Sequence, residues 1–183
     1  MDTNAIASLL RPYAELTAAH LAQTLMYLNL LVKWNAKINL TAVRSPEEMV
    51  TRHFGESFFA AARLVSEAPF TETPFAQRWS SAAIDVGSGA GFPGLPLAMS
   101  APGAEVTLIE ANNKKAAFLN EVIFALQLKN AEVFADRAEN YPERGELVTV
   151  RAVERFEKSL PVALNLVVEG GRLALMIGSA QVD

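Results

Sequence analysis

The sequence contains no cysteine, and only two of its 183 residues are histidine. Without thiols the chain can form neither disulfides nor thiolate zinc sites, and it has no cysteine nucleophile. The two histidines, His20 and His53, are well separated and do not indicate a metal centre. We therefore expect chemistry that needs neither a metal ion nor a thiol.

Long apolar runs are also missing. No apolar stretch approaches the roughly 18 residues of a membrane span, and the first residues lack the basic and apolar regions of a secretory signal. Because 51% of the residues are hydrophobic, the chain has ample material for one domain with a short appendage. We expect a cytoplasmic protein, monomeric and without a membrane partner.

The strongest pattern in the sequence begins at residue 82. The apolar run Ala82–Val86 is followed by Gly-Ser-Gly-Ala-Gly over 87–91, and a second apolar run, Val106–Ile109, ends in Glu110. Small residues let the backbone approach a ligand closely, and a helix starting near Gly94 would direct its N–H groups there. An acidic residue about 20 positions past the glycines can accept hydrogen bonds from both ribose hydroxyls. The pattern predicts a βαβ unit for a nucleoside-bearing cofactor.

The spacing of the glycines narrows the choice of cofactor. A dinucleotide fold requires G-x-G-x-x-G, but Phe92 stands where the third glycine would fall, and no Lys-Ser or Lys-Thr pair indicates a P-loop. The D-x-G-x-G-x-G form resembles motif I of the class I S-adenosylmethionine-dependent methyltransferases and consists here of Asp85, Gly87, Gly89 and Gly91. In that family the acidic residue of the motif helps position the methionine end, and the residue matching Glu110 binds the ribose. The alternative is a glycine-rich turn with a solvated glutamate.

A helical cap is predicted over residues 1–66, a connection over 67–80 and the cofactor domain over 81–183. In the cap we expect a short helix over 4–11, a helix from Thr17 to about Trp34, a loop to Thr41, and a helix that starts at Pro46 behind the capping residue Ser45. That helix should stop before Gly55, and another should run from Ser57 to Val65.

The second half alternates between strand and helix patterns. We expect a helix to about Leu128, strands over 131–134 and 147–150, a helix over 156–168, a turn over 169–171 and a strand over 172–177. The predicted fold is α/β and Rossmann-like, with a mainly parallel sheet and helices on both faces. Ala138 and Glu139 then fall where an adenine would lie, and Arg151 falls at the tip of strand four.

Two lysines, Lys114 and Lys115, follow the second strand and are well placed to bind RNA phosphates. The net charge of −4 argues against non-specific nucleic-acid binding but leaves room for a local basic face. The alternative for these lysines is a solvated face of mixed charge.

Five motifs in order extend the resemblance to nearly the whole chain. They are W-N-x-x-x-N-L-T-A-V-R-S-P-E-E-M-V-T-R-H (34–53), D-V-G-S-G-A-G-F-P-G-L-P-L-A (85–98), N-x-K-K-x-x-F-L (112–119), R-A-E (137–139) and V-R-A-V (150–153). With these motifs the chain resembles the bacterial small-subunit ribosomal RNA guanine-N7 methyltransferases, the glucose-inhibited division protein B family. The resemblance implies methylation of one guanine of 16S ribosomal RNA, as naked RNA or in the small subunit. It also implies S-adenosylmethionine contacts at Gly87, Phe92, Ala138, Glu139 and Arg151.

The sequence departs from the family pattern in four places. Val150 stands where serine is usual, Glu56 where aspartate is usual, and Met-Ile-Gly at 176–178 where Met-Lys-Gly is usual. The chain also stops at Asp183, whereas a methyltransferase sheet continues through a helix and two more strands. We therefore expect the C-terminal edge strands to be missing.

The residues available favour a simple displacement. Methyl transfer from a sulfonium mainly requires a nucleophile held in line with the methyl carbon, and guanine N7 has a free lone pair and no proton to remove. The cysteine common in pyrimidine C5 methylation and the Asn/Asp-Pro-Pro-Tyr/Phe loop of amino-group methylation are both absent, which favours a ring nitrogen or an oxygen as acceptor.

Arg151 is the predicted catalytic residue, which would order the cofactor and the target base. The alternative interpretation is that Arg151 is a surface residue paired with Glu154. We interpret His53 and Trp34 as packing residues, although a tryptophan can also stack on a splayed base. Two other functions stay open, a small-molecule methyltransferase on the same fold and a cofactor-binding module without catalysis.

Overall fold

The computed structural model describes residues 1–66, 82–151 and 156–176. The predicted connection over 67–80 lies outside these ranges, as do Glu154 and Ile177. The expectation of missing edge strands concerns the chain after Met176, and it stays a prediction.

The described helices are α1 (Thr3–Leu10), α2 (Ala18–Asn35), α3 (Pro46–Glu48), α4 (Glu56–Ser66), α5 (Gly94–Ser100), α6 (Asn113–Leu126) and α7 (Phe156–Asn165). A π-helical segment, Met49–Gly55, joins α3 to α4, and a 3-10 helix covers Ala138–Asn140. The described strands are β1 (Ala82–Val86), β2 (Glu105–Ile109), β3 (Ala131–Phe134), β4 (Gly145–Arg151) and β5 (Val167–Met176). Within these ranges no helix combines the length and the apolar character needed to cross a bilayer.

The strands form a parallel sheet in the order β3-β2-β1-β4-β5. The predicted α/β, Rossmann-like class is therefore confirmed. The strand order reverses between β1 and β4, and in such sheets ligands bind outside the carboxyl ends of the strands at this reversal. We call the side of the sheet where β1 to β4 end the carboxyl edge.

Alternating side chains give the sheet two covered faces. One face contributes to a large core shared with the helices of residues 1–66, and its strand residues include Ala83, Val106, Leu108 and Leu147. The opposite face forms a second cluster with α7 and includes Ile84, Val86, Val148 and Val150. Because side chains alternate along a strand, Asp85, Thr149 and Arg151 lie on the first face.

We call residues 1–66 the cap. Its division from a cofactor domain stays a prediction, because the two parts share the large core. Two predicted helix starts in the cap are confirmed: Thr17 accepts the N–H of His20 at 3.2 Å, and Ser45 accepts the N–H of Glu48 at 3.3 Å.

The loop that follows α2 is closed by one side chain. The side-chain oxygen Oδ1 of Asn35 accepts the backbone N–H groups of Leu40 and Thr41, both at 3.0 Å. Trp34 packs edge-on against Phe118 and donates its indole N–H to Glu121 at 2.8 Å, so it is a packing residue as interpreted.

The buried face of α2 differs from the one that its apolar spacing indicates. Leu21, Leu25, Leu28 and Val32 recur at helical spacing, but Val32 is 42% exposed, and the buried positions are Thr24, Tyr27, Leu28, Leu31 and Asn35. A helix this rich in leucine has more than one apolar side that could be buried. The tertiary contacts of Tyr27 determine which side faces the core.

The predicted helix end at Gly55 is wrong. The chain continues through Gly55 as a π-helical segment and passes directly into α4. A Cβ atom at this position would lie 2.8 Å from the Tyr13 ring, so the glycine allows close packing against the segment that follows α1 and does not mark a helix end.

The start of β5 is also different from the prediction. Helix α7 ends at Asn165, and β5 begins at Val167, where a helix was expected to 168. The predicted turn over 169–171 is a register irregularity inside β5, with Gly170 at a φ of +77°.

A cluster of four aromatic side chains, Tyr27, His53, Phe54 and Phe92, joins the cap to the segment after β1. The Phe92 ring stacks on Tyr27, with centroids 5.2 Å apart and planes at 5°, and on His53, with centroids 5.2 Å apart and planes at 26°. Phe54 meets Phe92 edge-on at 5.0 Å. His53 Nε2 lies 2.7 Å from the Thr41 hydroxyl, so His53 is a packed and hydrogen-bonded residue, as interpreted.

We predict that His53 makes stability depend on pH between about 6.5 and 4. Burial, and then the positive charges of Arg151 and Arg52, lower the pKa of His53 from 6.5 to about 4. In this window the unfolded chain binds the proton more readily, so stability falls as pH falls, at no more than about 1.4 kcal/mol per pH unit for one proton.

Urea unfolding of wild type and His53→Gln across this range measures the effect. The difference in unfolding free energy between the two proteins should be constant above pH 7 and should shrink as pH drops toward 4. Parallel pH profiles for the two proteins would contradict the prediction.

Candidate functional site

The carboxyl edge brings most of the predicted site residues together. The glycine loop (87–91) follows β1, Glu110 follows β2, the 3-10 helix with Ala138 and Glu139 follows β3, and Arg151 ends β4. Since these strands are adjacent and parallel, their carboxyl ends meet at one side of the sheet. The loop and Arg151 flank the reversal of strand order between β1 and β4.

The three glycines of the loop have different surroundings. Gly87, Gly89 and Gly91 all have positive φ, at +70°, +56° and +88°, a region that disfavours other residues. A Cβ on Gly87 would meet no described atom within 4 Å, whereas a Cβ on Gly91 would collide with Tyr27 and Leu95. Gly87 therefore faces open space where a ligand can approach, and Gly91 is required for internal packing.

Glu110 holds the backbone of the site. It is only 8% exposed, and its carboxylate accepts the N–H of Gly89 at 2.9 Å and the N–H of Asn112 at 2.8 Å. The sequence suggested a ribose ligand and did not anticipate these two bonds. A carboxylate has about four acceptor positions, so Glu110 retains capacity for a ligand hydroxyl.

Asp85 is a buried acid at the base of the loop. One oxygen accepts the Thr149 hydroxyl at 2.7 Å, and the carboxyl also lies beside the backbone of Gly94, whose N–H favours its charged form. Burial is the main cause that raises the pKa of Asp85 above its ordinary value. The carboxyl is therefore held inside the protein, below the loop, by Thr149 and by the start of α5.

Phe92 cannot offer its ring to a cofactor. It is 7% exposed, and its ring is covered by Tyr27, Phe54 and His53. Any contact with a ligand at this position must therefore come from the backbone.

The remaining predicted residues lie further out on the carboxyl edge. Glu139 is exposed, and Ala138 is half-buried against the second core cluster. Lys114 and Lys115 occupy the first turn of α6, where their backbone N–H groups donate to the capping side chain of Asn112. The Lys114 side chain is exposed, so its ammonium group is accessible to an anion.

Arg151 is tied to the cap. Its Nη1 donates to the Ser57 hydroxyl at 3.0 Å and the His53 carbonyl at 3.5 Å, and its Nη2 donates to the Arg52 carbonyl and the Glu56 carboxylate, both at 2.7 Å. Only 15% of the side chain is exposed. Its ion pair is with Glu56, and Glu154, the partner considered from the sequence, lies outside the described residues.

The π-helical segment makes these bonds possible. In an α-helix the Glu56 N–H would donate to the Arg52 carbonyl, but here it donates to Thr51 and His53. The Arg52 carbonyl, relieved of that bond, accepts from Arg151. π-helical turns often occur at functional sites, and this one provides a carbonyl that fixes the arginine.

Two further features bear on ligand binding. Among the described residues no group of three or more histidine, aspartate or glutamate side chains is arranged to hold a metal ion. A polar cavity of about 240 Å³ lies at the opposite, amino end of the sheet, near Glu105, Asn130 and Arg144, and takes no part in the site at the carboxyl edge.

The arrangement fits S-adenosylmethionine in two respects. There is open space beside Gly87, and Glu110 has spare acceptor capacity at the end of β2. Tyr27 and Ser57, which hold the loop and Arg151, carry no local motif, because they support the site from another part of the fold. Glu56 stood out only as a departure from the family pattern, and its contact with Arg151 is seen only in the structure.

Comparisons with known proteins agree with this geometry. Residues 20–183 match the family described as rRNA small subunit methyltransferase G. A protein of that name from Xanthomonas axonopodis pv. citri (strain 306) is 41% identical over 165 residues, which are 89% of this chain and 71% of the relative. Another from Xylella fastidiosa (strain M23) is 40% identical over 167 residues, which are 90% of this chain and 72% of the relative.

A solved structure supports the fold at greater distance. A candidate S-adenosyl-L-methionine-dependent methyltransferase from Methanococcus maripaludis aligns with a TM-score of 0.56 at 16% identity, covering 70% of this chain and 58% of its own. This likeness concerns the class I methyltransferase fold. Since the family match spans the carboxyl edge and most of the cap, the chain belongs to the rRNA small subunit methyltransferase G family.

Proposed function

We propose that this chain transfers a methyl group from S-adenosylmethionine to N7 of a guanine in 16S ribosomal RNA. The observation that carries the proposal is the family match over residues 20–183, which includes the carboxyl edge and most of the cap that holds it. The same match disfavours a small-molecule methyltransferase. We further propose that the protein acts as a monomer, without a metal ion, in the bacterial cytoplasm where ribosomal subunits are made.

The cofactor is proposed to bind along the carboxyl edge. Gly87 and Gly89 would let the backbone approach it, Glu110 would accept from the ribose, and Asp85 would help position the methionine end. Ala138 and Glu139 would lie beside the adenine, because their 3-10 helix follows the neighbouring strand β3. Gly91 and Phe92 support the loop from within, as their contacts with the cap indicate.

The reaction needs positioning more than proton transfer. When bound, S-adenosylmethionine supplies a methyl group on a sulfonium, which an electron pair attacks in line. Guanine N7 carries no proton, so no residue of the chain has to act as a general base. The task of the chain is to hold the acceptor nitrogen close to the methyl carbon, and such orientation is a large source of rate enhancement.

Arg151 is proposed to act as a positioning residue. Its two terminal nitrogens make four hydrogen bonds to the cap, which account for the hydrogens they carry. A guanidinium held in this way sets the cap against the end of β4, beside the proposed cofactor site. Direct contact with a phosphate through this fork would require those bonds to break.

Lys114 and Lys115 are proposed to bind RNA phosphates. They begin α6 close to Glu110, so cations here would lie beside the cofactor site. Each phosphate contact made by a lysine strengthens binding and increases its dependence on salt.

The function is tested by transfer of a labelled methyl group to small ribosomal subunits from a strain that lacks the modification. We expect label in 16S RNA, and cleavage of the RNA at 7-methylguanine should map it to a single guanine. Naked 16S RNA serves as the parallel substrate, and large subunits serve as the control. Label on another atom or on a small molecule alone would contradict the proposal, and so would binding of the cofactor without transfer.

We predict that Arg151→Lys folds but loses about ten- to hundred-fold in single-turnover methylation. Lysine keeps the charge but cannot reproduce the planar fork, and a charge-assisted hydrogen bond is worth about 1.5–3 kcal/mol. The measurement is the rate of methyl transfer by matched amounts of folded protein at saturating cofactor.

Arg172→Lys is the matched control. Arg172 also joins the sheet to the cap, donating to the Leu64 carbonyl at 2.9 Å, but from β5 and away from the glycine loop. It should lose stability without losing activity per folded molecule. Wild-type activity in Arg151→Lys, or equal losses in both variants, would remove the positioning role from Arg151.

A further inference from the structure

The side chain that contacts the cofactor loop most directly from the cap is Tyr27. This residue lies in α2, is fully buried, and donates its hydroxyl to the carbonyl oxygen of Ala90, between Gly89 and Gly91. We propose that Tyr27 is a positioning residue for the cofactor, which fixes the glycine loop in its binding conformation. This inference rests on the proposed function, because it assumes that the loop binds S-adenosylmethionine.

The hydroxyl holds one end of a peptide unit whose other end is also held. The Ala90 carbonyl and the Gly91 N–H belong to the same planar peptide, and the Gly91 N–H donates to the Ser88 carbonyl at 2.6 Å. With both ends bonded, this peptide cannot rotate without breaking a hydrogen bond. The neighbouring glycines have no side chains to restrict their φ and ψ angles, so an external bond is needed to keep one loop conformation.

The ring of Tyr27 has a separate role from its hydroxyl. It stacks on Phe92 and meets Phe54 edge-on at 4.9 Å, whereas the Tyr27 atom that lies against Gly91 is the hydroxyl oxygen. Replacement by phenylalanine keeps the ring contacts and removes only the hydroxyl. Tyr27→Phe therefore separates the loop contact from the core.

The hydroxyl remains a donor at any working pH. Burial, and then the charge of nearby Asp85, raise the pKa of Tyr27 well above 10.0. A carbonyl oxygen can only accept, so the proton must point from Tyr27 to Ala90.

Loss of the hydroxyl should affect binding of the cofactor more than the chemical step. If the loop then spends only part of its time in the binding conformation, the apparent dissociation constant rises in inverse proportion to that fraction. We expect about a three- to ten-fold rise, the size of one neutral hydrogen bond. At saturating cofactor the loop is again in its binding conformation, so kcat should be unchanged while KM for S-adenosylmethionine rises.

Gln23→Met is the matched control. Gln23 also lies in α2 and donates to a backbone carbonyl, that of Leu126 at 3.2 Å in α6, without touching the loop. Methionine has a similar length and shape, so this change removes the same kind of bond from the same helix.

The experiment is titration calorimetry with S-adenosylhomocysteine on the full chain, for wild type, Tyr27→Phe and Gln23→Met, below the unfolding midpoint of each. It is followed by methylation rates at varied S-adenosylmethionine. Weaker binding and a raised KM in Tyr27→Phe alone, with kcat unchanged, are the expected result.

Equal affinities in wild type and Tyr27→Phe would overturn the inference and leave the proposed function standing. Equal weakening in both variants would also overturn it, because the effect would then be a general loss of helix packing. A fall in kcat with unchanged KM would indicate loss of active protein and would count against it too. Failure of wild type itself to bind would contradict the proposed cofactor, and with it the positioning role.

Discussion

The contact between the cap and the glycine loop is the constraint on which the rest of the site depends. Gly87 gives the loop room for a ligand, but the three glycines contribute no side chains that could hold its shape. Much of the restraint comes from outside the loop: Glu110 holds the Gly89 N–H, Tyr27 holds the Ala90 carbonyl, and the Phe92 ring is stacked between Tyr27 and His53. The cap is therefore part of the cofactor site and not an attachment to it.

A second contact joins the cap to the end of β4, on the other side of the point where the strand order reverses. Arg151 leaves the end of β4 and binds carbonyls, a hydroxyl and a carboxylate of the π-helical segment and α4. The same π-helical segment contributes His53 and Phe54 to the aromatic group around Phe92. One short irregular segment thus connects the ends of β1 and β4, the two strands between which a Rossmann-like sheet opens for its ligand.

Much of this arrangement could be predicted from the sequence. The apolar runs, the glycine spacing and Glu110 predicted the first βαβ unit with its strand ends correctly placed, because such patterns depend on local backbone geometry. The alternation of side chains in β4 also places Arg151 on the same face as Thr149 and Asp85, which is the face toward the cap.

The parts that were missed depend on tertiary contacts. Tyr27 looked like one of several apolar residues in α2, since nothing in its own segment shows that its hydroxyl meets Ala90 far along the chain. Gly55 suggested a helix end, but its lack of a side chain instead leaves the space that the Tyr13 ring occupies. The π-helical turn has no simple sequence pattern, and without it Arg151 appeared to be free for a ligand.

Hydrogen exchange of wild type with and without S-adenosylhomocysteine tests most directly whether the cap and the cofactor loop act as one unit. Coupling between two parts of a protein is reciprocal, so a ligand that orders the loop must also stabilise what holds it. The account predicts slower exchange in the glycine loop and also in α2 around Tyr27 and in the π-helical segment. Protection confined to the loop and the end of β2, with exchange in the cap unchanged, would contradict it.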